Sequence, residues 1–304
     1  MIQPLSLKHK IFLSFFGFFC SQSFATKPTQ SDTLTLSGPK SSAKGSASVA
    51  TPASYDNLIL NPAAAAIPKQ YNVGVGYLST GKTMLASIVD TKSSQLGGGV
   101  YYLRRDSKKS AIQDEAAGDF QRVESRVGLS LFAKVSEEVS FGGGAKYVNI
   151  NTYQNPSLQN ATVWNGDLGF YYQAAPSTRL GIGVTNFLDD ENDYLPTSVQ
   201  LGADYLLNES IIFSALLMRY EKLDSASKFR RPSDSLFVYA IGAEYLYKSL
   251  SLKAGYRENS PWSQKLLSAG MGYSADKFSA DYAATFVTQG SGETKHDFSL
   301  GLLF

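Results

Sequence analysis

One cysteine, two histidines and two tryptophans are spread over 304 residues, and charged residues make up only 18% of the chain. The single cysteine, Cys20, falls in an apolar stretch that reads as part of a cleaved signal, so the mature chain is expected to carry no disulfide and no catalytic thiol. His9 falls in the same leader, which leaves His296; histidine-dependent catalysis and zinc binding lack their parts. No basic cluster stands out, which argues against nucleic acid as a partner. Beyond residue 25 no apolar run is long enough for a membrane-spanning helix. The chain is nevertheless 43% apolar with balanced charge, a composition that folds.

The leader is residues 1–25. Lys8 and Lys10 precede the apolar Ile11 to Cys20, and Ser23-Phe24-Ala25 places small residues where a signal peptidase reads. Lipid attachment at Cys20 is the rival reading, which bulky Phe18 and Phe19 fit poorly. Residues 26–70 are rich in Ser, Ala, Thr, Pro and Gly and read as a plug segment, with a turn expected at Asn61-Pro62.

From Tyr71 to the last residue the pattern alternates with period two. Tyr71, Val73, Val75 and Tyr77 share one face, while Asn72, Gly74 and Gly76 share the other. Segments of this kind recur about 14 times, an even number of strands long enough to cross a bilayer. Tight turns such as Ala175-Pro176-Ser177 and Lys248-Ser249 alternate with longer polar connections, among them 106–118, 151–159, 188–196 and 222–234. Short turns on one rim and long loops on the other predict a transmembrane antiparallel up-and-down β-barrel over residues 71–304, with an N-terminal plug, set in the outer membrane of a Gram-negative bacterium. Tyr77, Tyr205, Tyr245, Tyr247 and Tyr273 lie near strand ends, where a water–lipid girdle of aromatics belongs.

Alternation also assigns the interior. Arg122, Glu124, Arg126, Lys146, Asp167, Arg179, Asp204, Arg219, Glu244, Lys253, Arg257, Asp281 and Asp297 are expected to point inward. Acidic and basic members nearly balance, so mutual pairing is favoured over a substrate path, and no run of apolar inward residues for a hydrophobic tunnel is apparent. The triplets Gly97-Gly98-Gly99 and Gly142-Gly143-Gly144 either let the wall curve and make room for the plug or, at Gly97 to Gly99, kink a strand, which a resemblance to lateral-release transporters implies would open a lateral exit. The acidic run Asp189-Asp190-Glu191-Asn192-Asp193 lacks the spacing of a calcium loop and reads as solvated surface. Lys228, Arg230 and Arg231 read as an ordinary polar loop. No cofactor and no metal are implied.

Two patterns carry a resemblance. The final strand, Phe298-Ser-Leu300-Gly-Leu302-Leu-Phe304, is similar to the terminal signal by which barrel-insertion machinery reads outer-membrane proteins. The stretch from Ala43 through Asp56, Asn57, Asn61, Pro62 and Ala63 resembles the plug motif of the superfamily of long-chain fatty-acid outer-membrane transporters (FadL-type) and type IX secretion-associated barrels (PorV/PorQ-type). Gly183 to Phe187 and Leu195 to Tyr205 also resemble a strand-loop-strand pattern of the PorV side. The resemblance implies a 14-stranded plugged barrel without catalytic activity that passes small hydrophobic molecules. Its other branch implies a barrel that docks a secreted or surface protein.

Overall fold

The computed structural model describes residues 37–52, 56–79, 82–108, 120–154, 157–188, 195–221, 236–290 and 294–304. Among these residues fourteen strands form one closed antiparallel barrel in which each strand pairs with its sequence neighbours. They are β1 (Tyr71–Leu78), β2 (Thr83–Asp90), β3 (Leu96–Lys108), β4 (Phe120–Lys134), β5 (Val139–Gln154), β6 (Ser157–Ala175) and β7 (Thr178–Thr185). The second half comprises β8 (Ser198–Asn208), β9 (Ile211–Tyr220), β10 (Phe237–Tyr247), β11 (Leu250–Asn259), β12 (Gln264–Ser274), β13 (Phe278–Gln289) and β14 (Lys295–Leu303). β1 closes the ring on β14, with Val75 opposite Leu300 and Tyr77 opposite Phe298. The chain ends are tied as well: Phe304 N–H donates to the Tyr71 carbonyl at 2.9 Å.

Closure matters because hydrocarbon offers no partner for a free backbone group, and a ring of strands has no edge. The exterior completes the case. Ile241, Leu300 and Val75 expose 61%, 51% and 52% of their surface, and Leu129, Phe141, Leu201, Phe213 and Leu267 are exposed beside them. The inverse holds inside, where Glu124, Lys146, Asp167 and Lys253 are buried. A soluble protein has the opposite arrangement, so this barrel has lipid for its outer solvent. No helix among the described residues is long and apolar enough to cross a membrane, and the strands do the crossing.

Tyr102, Val127, Tyr147 and Trp164 stand directly opposite one another on β3 to β6 and form an outward row, with the Tyr147 and Trp164 rings 5.1 Å apart. Tyr77, Tyr205, Tyr245, Tyr247 and Tyr273 are likewise exposed at strand ends. Aromatic rings at both rims suit the boundary between lipid and water.

One connection differs from expectation. The polar stretch 151–159 is a continuation of the β5–β6 hairpin, paired from Val139 with Tyr172 up to Gln154 with Ser157. Asn149, Asn151 and Thr162 lie on this extension. Past the row of aromatics the outward positions Asn149, Asn151, Asn160 and Thr162 are polar while Val148 and Ile150 stay buried inside, so the apolar-outward pattern that marks the strand in the lipid zone ends there.

Candidate functional site

The lumen is occupied by the amino-terminal segment. Its elements are short: α1 (Pro39–Ser42), α2 (Asn57–Leu60) and a 3₁₀ turn, Pro62–Ala66. Proline opens both α1 and the 3₁₀ turn, where its missing N–H costs nothing. Ala43, Ala47, Val49, Ala50, Leu58, Ala63 and Ala64 are buried against the wall.

Small residues and wall glycines explain the fit. A Cβ at Gly181 would lie 2.4 Å from the Val49 carbonyl oxygen, and one at Gly255 would lie 2.2 Å from the Lys44 carbonyl carbon. Gly142 and Gly169 receive Ala63 in the same way. The plug backbone therefore rests directly on strand backbone, at a separation no side chain permits.

The Asn61-Pro62-Ala63 motif has a physical role. Asn61 Nδ2 donates to the Val49 carbonyl at 2.8 Å and to the Phe170 carbonyl of β6 at 3.0 Å, while its Oδ1 accepts from Ala63 N–H at 3.1 Å. One side chain thus ties two parts of the plug together and both to the wall. Ser140 Oγ of β5 donates to the Ala63 carbonyl at 2.7 Å. Asn57 Nδ2 donates to the Thr51 carbonyl at 2.8 Å. Asp56 accepts from Ser41 N–H at 3.2 Å and Ser41 Oγ at 3.0 Å, and burial with Asp281 nearby raises its pKa to about 6.

Inward charges pair in two groups. On β4 to β6, Lys146 Nζ lies 2.6 Å from Asp167 Oδ1, which also accepts from Asn186 N–H at 3.0 Å, and Arg126 contacts Glu124. Across β10 to β13, Lys253 Nζ lies 2.8 Å from Asp281 and 3.8 Å from Glu244. Lys44 of the plug lies 3.7 Å from the same Glu244 and donates to Thr51 Oγ1 at 2.9 Å. Its burial lowers its pKa against the opposing pull of Asp204 and Glu244. Arg257 Nη1 donates to Ser46 Oγ at 3.2 Å, so it too holds the plug. Arg179 and Asp204 stand opposite each other on β7 and β8, and Asp297 accepts from Ser79 N–H at 3.2 Å.

Two expectations are corrected. Arg219 is not a lumen residue: it is exposed on the outside of β9 near the loop rim, with Glu221 at 3.5 Å. A charge at the rim of the barrel faces headgroups and water, so charge alone does not assign a face there. The alternative reading of Gly97, Gly98 and Gly99 as a kink opening a lateral exit is not met, for β3 pairs with β4 through all three residues and with β2 from Gly98 without a register shift. Gly97 and Gly99 instead make room for the Phe132 ring and for Leu58 of α2. The leader, the acidic run 189–193 and the basic loop residues 228–231 lie outside the described residues, as does the side chain of Arg122.

The interior also holds what the charge pattern concealed. On the loop side of the plug three buried apolar groups line the lumen. Leu78, Leu85 and Leu103 belong to the first, and Val148, Ile150 and Leu195 form the second. Leu216, Met218, Tyr220, Val238 and Trp262 form the third, with plug residues Ala47 and Val49 beneath them. β9 hides this patch in the sequence because both of its faces are apolar; apolar residues at both parities are the signal that marks it. Arg105, buried and donating to Thr83 Oγ1 at 3.2 Å, and Lys44 are further inward charges missing from the expected set. No group of metal-ligating side chains occurs among the described residues.

Closed ring, apolar exterior and seated amino-terminal segment together define a plugged transmembrane β-barrel. No protein-family model matches the sequence, and no curated protein matches it either. Among solved structures the chain is similar to the CymD monoaromatic hydrocarbon channel, with a TM-score of 0.70 and 16% identity over 88% of this chain and 97% of that one. A FadL homologue of Pseudomonas aeruginosa matches with a TM-score of 0.66 and 12% identity, over 89% and 99% of the two chains. The Pseudomonas putida toluene transporter TodX matches with a TM-score of 0.65 and 14% identity, over 93% and 99%. The barrel has the FadL-type fold.

Proposed function

We propose that this chain is an outer-membrane channel that passes small hydrophobic molecules inward, with its tight turns in the periplasm. The observation that carries the reading is the apolar lining of the loop-side lumen, from Leu78 and Leu103 through Val148 and Ile150 to Met218 and Trp262, above a plug that closes the ring. An interior that presents apolar groups toward the loops suits ligands that water rejects. The shared fold with channels for monoaromatic hydrocarbons and toluene supports the same ligand class. The paired lumen charges hold the plug and the wall together, and nothing in this role requires catalysis. Phe298, Leu300, Leu302 and Phe304 form the insertion signal of the terminal strand, all four exposed on the lipid face or at its end.

Uptake of labelled toluene by cells with and without the gene, in a strain lacking other such channels, tests the reading. Gene-dependent uptake at low external toluene is expected. Equal uptake in both strains overturns it, and co-purification of a surface protein in mild detergent would then assign the barrel the docking role.

A further inference from the structure

In and beside the third apolar group stand polar atoms with no partner among the described residues. Trp262 is 7% exposed and its indole Nε1 makes no hydrogen bond among them; Asn259 is fully buried and neither its Oδ1 nor its Nδ2 makes one. Asn259 is the N-cap of a single 3₁₀ turn, Ser260–Trp262, whose last residue is Trp262. Residues three apart across such a turn lie on the same side. Both join the apolar wall: Asn259 stands opposite Val238 on β10, and the Trp262 ring meets Tyr220 edge-on at 5.6 Å. Buried polar groups are nearly always paired, and leaving them unpaired is costly. A donor from Trp262, and a donor and an acceptor from Asn259, stand where the apolar wall meets buried Gln264, the partner of Asn259 on β12, and describe a receptor for one small polar group on an apolar body.

We propose that the surface around Met218, Tyr220, Val238 and Trp262 is a ligand site selective for neutral apolar alcohols, the ligand hydroxyl accepting from Trp262 Nε1–H and donating to Asn259 Oδ1. A hydroxyl is the smallest group that both accepts and donates, which this pair demands and a hydrocarbon cannot supply. The inference rests on the reading of the barrel as a hydrophobic-compound channel, and it names a preference within that class.

The test is calorimetric titration of the purified barrel in detergent with cyclohexylmethanol, methylcyclohexane and cyclohexanecarboxylate. Wild type is expected to bind the alcohol more tightly than either of the others. Trp262→Phe keeps an aromatic ring and removes the N–H, so the alcohol-to-hydrocarbon affinity ratio is expected to fall roughly fivefold. Asn259→Leu is expected to lower it similarly, with heat-modifiable gel mobility confirming a folded barrel. A ratio that neither substitution moves, a carboxylate that binds better than the alcohol, or no binding of any of the three overturns the proposal. Binding and flux separate the two readings. A selective site in a barrel that gives no toluene uptake removes the transport function and leaves the site, whereas uptake with an unmoved ratio does the reverse.

Discussion

Gly181 of β7 and Val49 of the plug approach so closely that a Cβ on the glycine would lie 2.4 Å from the Val49 carbonyl oxygen. Gly181→Val therefore cannot be accommodated without moving the plug. The expected result is a barrel that inserts normally but conducts, because displacing the plug opens the ring; wild type should be almost silent in planar bilayers. Overpacking of this kind costs about 1–3 kcal/mol, which a closed barrel tolerates more readily than a short plug does. Gly98→Ala is the control, since a Cβ there meets nothing nearer than 3.5 Å and faces away from the plug. Equal single-channel traces for wild type and Gly181→Val would show that the plug is not seated on this wall.

Asn61 joins the plug to itself and to the wall, satisfying two carbonyls and one N–H. Asn61→Ala leaves the buried Val49 carbonyl without this donor and removes the tie to β6. A loss of about 2–3 kcal/mol in plug docking is expected, since each buried group left unpaired costs about 1–3 kcal/mol. Amide hydrogen exchange over residues 41–64 reads it directly: exchange there should accelerate while the strands stay protected. Uniform acceleration throughout the barrel would instead mean that plug and wall unfold as one unit.

Which of these features the sequence discloses follows from solvent. Where one face of a strand meets lipid and the other the lumen, alternation is enforced, and all fourteen strands are legible, from Val73, Val75 and Tyr77 on β1 to Phe298, Leu300 and Leu302 on β14. Where the outer face leaves lipid for water, as on the β5–β6 extension around Asn151 and Asn160, the outward positions turn polar and the segment resembles a loop. Where both faces are apolar, as at Leu216, Leu217 and Met218 on β9, parity is present but its sign is lost, and with it the lumen patch. The Asn61-Pro62-Ala63 motif is visible as a pattern, but its bonds to Phe170 and Ser140 join residues far apart in the chain. The glycine seat is harder still, for Gly142, Gly169, Gly181 and Gly255 lie on four strands and share a role only once the ring has closed.

The Lys146–Asp167 pair is buried, 2.6 Å apart, and removing one member leaves a charge without its counterion. Lys146→Met alone is expected to destabilise the barrel by about 3–5 kcal/mol. Combining it with Asp167→Asn should restore most of that loss, because neither charge is then buried without the other and the Asn186 N–H keeps its acceptor. Denaturant unfolding in lipid vesicles of the two single variants and the double completes the cycle. A double variant as unstable as the sum of the singles would show that the pair does not act as a unit.

Asp56 gives the plug a dependence on pH whose direction is fixed by burial. Its carboxyl is held at about 6 against an ordinary value of 3.8, first by desolvation and then by Asp281, despite the two bonds from Ser41. Below pH 3.8 the carboxyl is protonated in the seated and unseated plug alike, and it adds no penalty. As pH rises from about 4 to 6 the unseated form ionises while the seated form keeps its proton, so seating weakens through that window and then stays level. The full difference is about 3 kcal/mol. Hydrogen exchange of the plug amides should therefore show greater protection at pH 4 than at pH 7, after correction for the intrinsic rate. Asp56→Asn, which keeps an oxygen for Ser41 and cannot ionise, should abolish that step and protect the plug better than wild type at pH 7. Protection that increases with pH, or a step that survives in Asp56→Asn, would place the titrating group elsewhere in the lumen.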